Sequence, residues 1–121
     1  MIFVSQKNGS VAFQTVDGAM EFVQEVVQKK DDIWVSGDEE YPCLAVCTNA
    51  PYAAVHFIQS DGGEVWLSYN ENNQRGVDFL VDGVEWRPTA DAVVSLDDAI
   101  ACVKEFLTTY KKPSCIQWQE L

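Results

Sequence analysis

The chain has 121 residues, 47% of them hydrophobic and 12% aromatic, and its 19 acidic and 8 basic side chains give a net charge of −11. This length fits one domain over residues 1–121, and the apolar content excludes disorder and makes a metal or a disulfide unnecessary for folding. The charge argues against direct binding of nucleic acid, and no run approaches the roughly 20 apolar residues that a membrane span needs.

The first predicted helix covers residues 16–30. Apolar side chains recur there at helical spacing, and acidic and amide side chains fall on the opposite side. Thr15 can cap the first turn, and the charges of Lys29 and Lys30 suit the negative end of the helix dipole. This pattern indicates a helix with one face buried.

Extended segments are predicted on both sides of this helix. Before it, Asn8-Gly9 is a hairpin-turn dipeptide between two short apolar runs. After it, turn compositions separate three apolar stretches within residues 41–69, which predicts an antiparallel meander. Asp82-Gly83 between alternating runs predicts a second hairpin over residues 77–87.

A second helix is predicted over residues 96–111. Ser95 and Asp98 have the spacing of a capping box at its start, and Pro113 follows its end. Residues 115–119 then indicate a terminal strand. The sequence therefore predicts an α+β fold, in which a mainly antiparallel sheet of about five to seven strands carries both helices on one face.

The four cysteines are expected to be reduced thiols. Met1 is not followed by the layout of a signal peptide, so we expect a cytoplasmic protein, and disulfides are rare in that compartment. Cys43 and Cys47 do not have the spacing of a structural zinc site, and His56 is the only histidine. We therefore expect no metal and no cofactor.

A catalytic site finds little support in the sequence. The single histidine, His56, lies in an apolar strand, where a hydrogen-bonded core residue is the usual interpretation. The acidic residues are so numerous that pairs will be close by chance, and nothing marks one of them as a general acid. The glycines do not form a phosphate-binding pattern. We therefore expect that the protein is not an enzyme.

The negative charge is concentrated in the middle of the chain. Residues 31–105 carry 15 of the acids and three bases, a net charge of −12, whereas the segments on either side are nearly neutral. Such a field attracts and orients basic partners, although it also keeps a small protein soluble.

A binding surface is the favoured functional interpretation. Trp86 is one of four tryptophans and lies between Glu85 and Arg87 at the end of a predicted hairpin, where an aromatic side chain can anchor an interface. Acidic residues on predicted turns and strand edges can steer a basic partner toward it. These acids are Asp38, Glu39, Glu40, Glu71, Asp78, Asp82 and Glu85.

Four short segments resemble a known family. They are Tyr41 to Val46, Tyr52 to Val55, Val93 to Ser95, and the ending from Lys112 to Leu121 with its Pro113 and Trp118. Over roughly residues 41–121 the chain resembles immunity proteins of bacterial polymorphic toxin systems. The resemblance is to the family paired with deaminase-fold toxins, which includes the immunity partner of a double-stranded-DNA cytidine deaminase.

The resemblance implies a non-catalytic protein of bacterial competition that binds and neutralises a cognate toxin. A toxin that acts on nucleic acid has a basic active-site groove, and an acidic protein can occupy that groove and exclude the substrate. Two other classes stay open. One is an adaptor domain for a small molecule or a peptide, and the other is a hydrolase that uses an acid pair near His56.

Overall fold

The computed structural model describes residues 1–121, which form ten strands and two helices. The helices are α1 (Val16–Val26) and α2 (Leu96–Thr109), and a single 3-10 turn covers Ala90–Ala92. Neither helix is long and apolar enough to cross a membrane. The strands are β1 (Ile2–Gln6), β2 (Gly9–Phe13), β3 (Asp31–Ser36), β4 (Cys43–Asn49), β5 (Tyr52–Ile58), β6 (Val65–Tyr69), β7 (Phe79–Val81), β8 (Val84–Trp86), β9 (Val94–Ser95) and β10 (Gln117–Glu120).

Eight of these strands form one antiparallel sheet. Its order is β10-β6-β5-β4-β3-β1-β2, and the short β9 pairs with β5. The predicted meander is confirmed as β4, β5 and β6. The first predicted hairpin is confirmed as β1 and β2, but its turn consists of Lys7 and Asn8, and Gly9 is the first residue of β2, opposite Gln6. The α+β architecture is therefore the one that the sequence predicts, with one strand more than the upper end of the expected range.

Both helices pack on the same face of the sheet. Their apolar stripes join side chains of β1, β3, β4 and β5 in a core cluster of 20 buried residues. Phe57 of β5 meets Phe106 of α2 edge to face, with ring centroids 6.2 Å apart. Burial of each such side chain stabilises the fold by about 1.5–3 kcal/mol, so this face supplies most of the stability of the sheet.

The first helix ends earlier than predicted, at Val26 instead of residue 30. The Thr48 hydroxyl donates a hydrogen bond to the Lys29 carbonyl oxygen at 2.6 Å, and this contact draws the chain toward β4. Lys30 then pairs with Glu85 instead of extending the helix. The two lysines thus belong to the turn that leads into β3.

The second helix ends at Thr109, two residues before the predicted end. Tyr110 adopts a left-handed conformation with φ of 53°, and its ring packs on Phe106 with centroids 5.5 Å apart. The capping interaction at the start is confirmed, because the Ser95 hydroxyl accepts a hydrogen bond from the backbone N–H of Asp98 at 3.1 Å.

The terminal strand is shifted by one to two residues from the prediction. It covers Gln117–Glu120 instead of residues 115–119 and pairs with β6 at the edge of the sheet. The Trp118 indole N–H donates to the Pro113 carbonyl oxygen at 2.8 Å, so the segment before the strand is held in a turn.

The second predicted hairpin forms, but it does not join the main sheet. Strands β7 and β8 pair only with each other, around a turn in which Asp82 and Gly83 both have positive φ. Asp-Gly favours this turn because both residues tolerate that conformation. The hairpin instead lies on the sheet face opposite the helices, where Phe79 packs with Cys47 and Ala54.

Ser68, in β6, bonds to two other segments of the chain. Its buried hydroxyl accepts a hydrogen bond from the Val55 N–H at 3.0 Å and donates one to the Ala92 carbonyl oxygen at 2.6 Å. The side chain therefore ties the centre of the sheet to the turn that precedes α2.

Replacement of Ser68 by alanine should destabilise the protein by about 1–3 kcal/mol, because it leaves a buried N–H and a buried carbonyl without partners. Urea unfolding measures this change. The exposed Ser60 provides the control, and Ser60→Ala should shift the free energy of unfolding by no more than about 0.5 kcal/mol. Equal effects of the two substitutions would contradict the role assigned to the Ser68 hydroxyl.

Candidate functional site

The sheet has a second face that the helices do not cover. Residues directly opposite one another in paired strands point to the same side. The register aligns one such row across six strands. The row consists of Ser5, Trp34, Ala45, His56, Leu67 and Gln119. We call this side of the sheet the open face.

The β7–β8 hairpin covers only part of the open face. Phe79 is fully buried against the row next to the one just described, which contains Cys47 and Ala54. Strand β8 then runs above His56, and beyond it the face is uncovered. The hairpin therefore forms one wall of a cavity whose floor is the sheet itself.

This cavity, the open-face groove, has a volume of about 770 Å³. His56, Leu67 and Gln119 form its floor. Val84, Trp86 and Pro88 form the wall on the hairpin side. The groove is thus largely apolar. It is open to solvent, and Val84 on its wall keeps 67% of its surface exposed.

His56 lies on the floor of the groove and is not the hydrogen-bonded core residue that the sequence predicts. Its ring is half-buried, packs against Trp86 with centroids 5.3 Å apart, and has no hydrogen-bond partner within the protein. Burial lowers the pKa of His56 below its ordinary value, so the ring is neutral at pH 7. No side chain is hydrogen-bonded to His56 in the way that a nucleophile or an orienting carboxylate is bonded to a catalytic histidine.

The four tryptophans divide between the two faces. Trp66 and Trp118 pack against the helical core, and the Lys112 ammonium lies 3.6 Å from the centroid of the Trp66 ring. Trp34 and Trp86 are on the open face, and Trp34 is 39% exposed. Sequence reasoning selected Trp86 and missed Trp34, whose only signal was its position between two apolar residues of one strand.

Asp32 is a structural residue of this face that sequence reasoning also missed. The residue is 6% exposed, and its carboxylate accepts two hydrogen bonds of 3.3 Å, from the Trp34 indole N–H and from the backbone N–H of Asp82. These bonds fix the tip of the hairpin to β3. Burial, followed by the charges of Asp32 and Asp31, raises the pKa of Cys47 to about 12.

The hairpin gathers four of the predicted site residues. Asp82 is at its tip, Glu85 and Trp86 are on β8, and Asp78 is at its base. Two of the acids have cationic partners, because Glu85 pairs with Lys30 and Asp78 pairs with Arg87, both at 3.0 Å. The Asp82 carboxylate has no such partner.

Asp38, Glu39 and Glu40 lie at one end of the sheet, in the connection between β3 and β4. The connection between β5 and β6 reaches the same end and adds Asp61 and Glu64. We call these five residues the acidic rim. The pKa of Tyr41 is raised, first by loss of hydration and then by the negative charges of Glu40 and Asp61. One acid from each connection therefore lies close to the Tyr41 hydroxyl.

The acidic rim meets one end of the groove. Leu121 lines the groove, and its backbone N–H donates to the Val65 carbonyl oxygen, next to Glu64. Within the rim, Asp38 is bonded to the amino group of Met1 at 3.0 Å, and the other four acids form no ion pair. Glu64 therefore lies beside the groove, whereas Asp38 and Glu39 line a separate cavity with Tyr110 at the end of α2.

Glu71 is separate from the other predicted site residues. It follows β6 in the loop after Tyr69, at the end of the sheet opposite the acidic rim. That end is close to the start of α2, where Asp98 and Gln117 lie beside it. The structure thus brings together the acids of the hairpin and places those of residues 38–40 and Glu71 at two further positions.

No three side chains of histidine, cysteine, aspartate or glutamate come together in a way that could hold a metal ion. All four cysteines are free thiols, three of them buried. The sulfur atoms of Cys102 and Cys115 lie 3.1 Å apart between α2 and the turn before β10.

Comparison with known proteins identifies one family. The profile of the family described as Immunity protein Imm1 matches residues 9–120. That range contains both helices and every strand after β1. No curated protein matches the chain.

The lowered pKa of His56 predicts a pH dependence of stability. The unfolded chain has the ordinary pKa of about 6.5 and binds more protons than the folded protein below that value, so stability falls as the pH decreases through 6.5 toward the folded pKa. Urea midpoints at about pH 7.5 and about pH 5.5 bracket the range in which histidine titrates. We expect a lower midpoint at the lower pH, and a smaller decrease in His56→Gln. An equal decrease in both proteins would contradict the assignment to His56.

Proposed function

Since this chain belongs to the immunity protein family Imm1, we propose that the toxin it neutralises is a bacterial nucleic-acid deaminase, whose basic active-site groove it blocks with the open face and the acidic rim. The toxin-neutralising role is that of the family. The choice of a deaminase rests on the segments around residues 41–46, 52–55, 93–95 and 112–121, which resemble the immunity partners of such toxins.

The observation that carries this proposal is the placement of negative charge around an uncovered apolar face. An enzyme that acts on nucleic acid needs a positive groove to hold phosphates. The acidic rim and the hairpin present carboxylates that attract such a groove and compete with the substrate for it. An interface of this kind combines long-range attraction with apolar contacts at its centre.

We propose that the interface includes Trp86 as its aromatic anchor. Around it we place the acids that the sequence singled out, which are Asp38, Glu39, Glu40, Asp78, Asp82 and Glu85. Glu71, at the far end of the sheet, would contribute only if the toxin extends over that edge. Trp34 joins this set because it shares the open face with Trp86 and is exposed.

In this proposal the protein acts by occlusion and catalyses nothing. The whole chain would act as one immunity domain, since its first and last strands belong to the same sheet. The volume of the groove supports a second candidate, an adaptor that binds a small molecule or a peptide, because about 300–1,000 Å³ is typical of ligand sites. A metabolite that raises the unfolding temperature in the absence of any toxin would favour that candidate.

The electrostatic part of the proposal predicts the behaviour of a charge reversal. The double variant Glu39→Lys/Glu40→Lys should slow association with a deaminase toxin domain that the natural protein binds by about tenfold or more, because it removes part of the field that steers the two proteins together. Association rates measured at about 50 mM and about 300 mM salt should differ less for the variant than for the natural protein.

Glu21 and Glu25 provide the matched control. They are two exposed acids on α1, on the opposite side of the molecule, and Glu21→Lys/Glu25→Lys changes the net charge by the same amount. We expect this variant to retain most of the association rate. If both double variants slow association equally, net charge alone acts and the acidic rim has no special role. If the natural protein leaves the deaminase fully active, the deaminase assignment is wrong.

A further inference from the structure

The open-face groove has the properties of a receptor for one side chain of the partner. We propose that it receives a single large apolar side chain of the toxin, presented on a segment in which lysine or arginine residues flank that side chain. This inference rests on the proposed function and adds to it the chemistry of the toxin segment that is recognised.

The hairpin exposes apolar side chains in the wall of the groove. Val84 and Val81 are 67% and 36% exposed, and both line the groove together with the half-buried Trp86. Apolar surface that is contiguous and concave on a soluble protein usually marks a binding site. A volume of about 770 Å³ is several times that of one residue, so the groove accommodates an aromatic or branched aliphatic side chain together with the residues that flank it.

The groove is held open by contacts that do not involve a partner. Phe79 anchors the hairpin in the small core cluster beneath it, and Asp32 fixes its tip. The ion pair between Lys30 and Glu85 holds the outer strand. A preformed cavity loses little conformational entropy on binding, so an inserted side chain contributes most of its burial energy to affinity.

The charge around the groove selects basic neighbours for that side chain. Asp82 at the hairpin tip and four acids of the acidic rim have no cationic partner. Lys30 and Arg87 are already paired with Glu85 and Asp78, and Lys7 lies against Gly83 at the tip. Lys7, Lys30 and Arg87 offset the three acids of the hairpin, so the negative balance comes mainly from the acidic rim. This field repels a second copy of this chain, with its net charge of −11, and attracts a basic segment.

The substitution Val84→Glu separates the apolar contribution from the electrostatic one. It adds a negative charge, so a purely electrostatic interface would bind a basic toxin at least as well as before. Insertion of an apolar side chain predicts the opposite result, a dissociation constant raised by about tenfold or more, as expected for loss of a central contact. Val11, which is 43% exposed on the distant edge strand β2, provides the control, and Val11→Glu should change affinity by less than about twofold.

A pair of synthetic peptides tests the chemistry of the segment without the toxin. Acetyl-Lys-Lys-Phe-Lys-Lys-amide should quench or shift the fluorescence of the protein in a saturable manner, because Trp86 lines the groove. We expect it to bind at least about fivefold more tightly than the same peptide with alanine in place of phenylalanine. Val84→Glu should remove this difference.

The outcomes distinguish this inference from the function on which it rests. If the natural protein and Val84→Glu inhibit the toxin equally and the two peptides bind alike, the groove inference is overturned while the immunity function stands. A neutral apolar compound that binds as well as the phenylalanine peptide would also overturn it. If the natural protein does not inhibit the toxin, the proposed target is wrong, and the peptide comparison alone decides what the groove binds.

Discussion

The incomplete cover of the second sheet face is the constraint on which the candidate site depends. A sheet whose central strands are apolar on both faces must bury both of them. The helices cover one face, and on the other a short hairpin buries Phe79 against Cys47 and Ala54 but extends no further. The uncovered remainder, with the exposed Trp34 and the groove between His56 and Trp86, is the surface that we propose for the partner.

The two kinds of interaction that an inhibitory interface needs are spatially separated in this protein. In the proposed interface the groove supplies apolar contact, which is short-ranged and sets the lifetime of a complex. The acidic rim and Asp82 would supply charge, which acts over about 8–10 Å in physiological salt and sets the rate of encounter. Asp32 fixes the exposed Trp34 to the tip of the hairpin, because its buried carboxylate accepts a hydrogen bond from each.

Local signals in the sequence were sufficient for the elements and insufficient for their arrangement. The helical periods, the Ser95 cap and the Asp82-Gly83 turn each depend on neighbouring residues, and all of them are confirmed. The first hairpin is confirmed too, with its turn one residue before the predicted Asn8-Gly9. The position of the second hairpin depends on contacts with residues more than 20 positions away in the chain. An alternating pattern cannot distinguish a hairpin that joins a sheet from one that lies on its face.

The side chains of the candidate site were likewise predictable only where the signal in the sequence was local. Trp86 was recognisable because charged residues flank it on a predicted turn. Trp34 was not, because its exposure follows from the register that aligns it with Ala45 and His56. Asp32 looked like one acid among many, and only the fold shows that it is buried and bonded to two other segments. Helix ends were displaced where a distant side chain competed with the helix, as Thr48 does at Lys29.

The central proposal is that the open face, and not the helical face, meets the toxin. The indole N–H signals of the four tryptophans in a nitrogen-15 correlation spectrum report on both faces at once. Addition of the unlabelled toxin domain should shift or broaden the signals of Trp34 and Trp86 and leave those of Trp66 and Trp118 nearly unchanged. Changes confined to Trp66 and Trp118 would show that the toxin binds the other side of the molecule and would contradict the account.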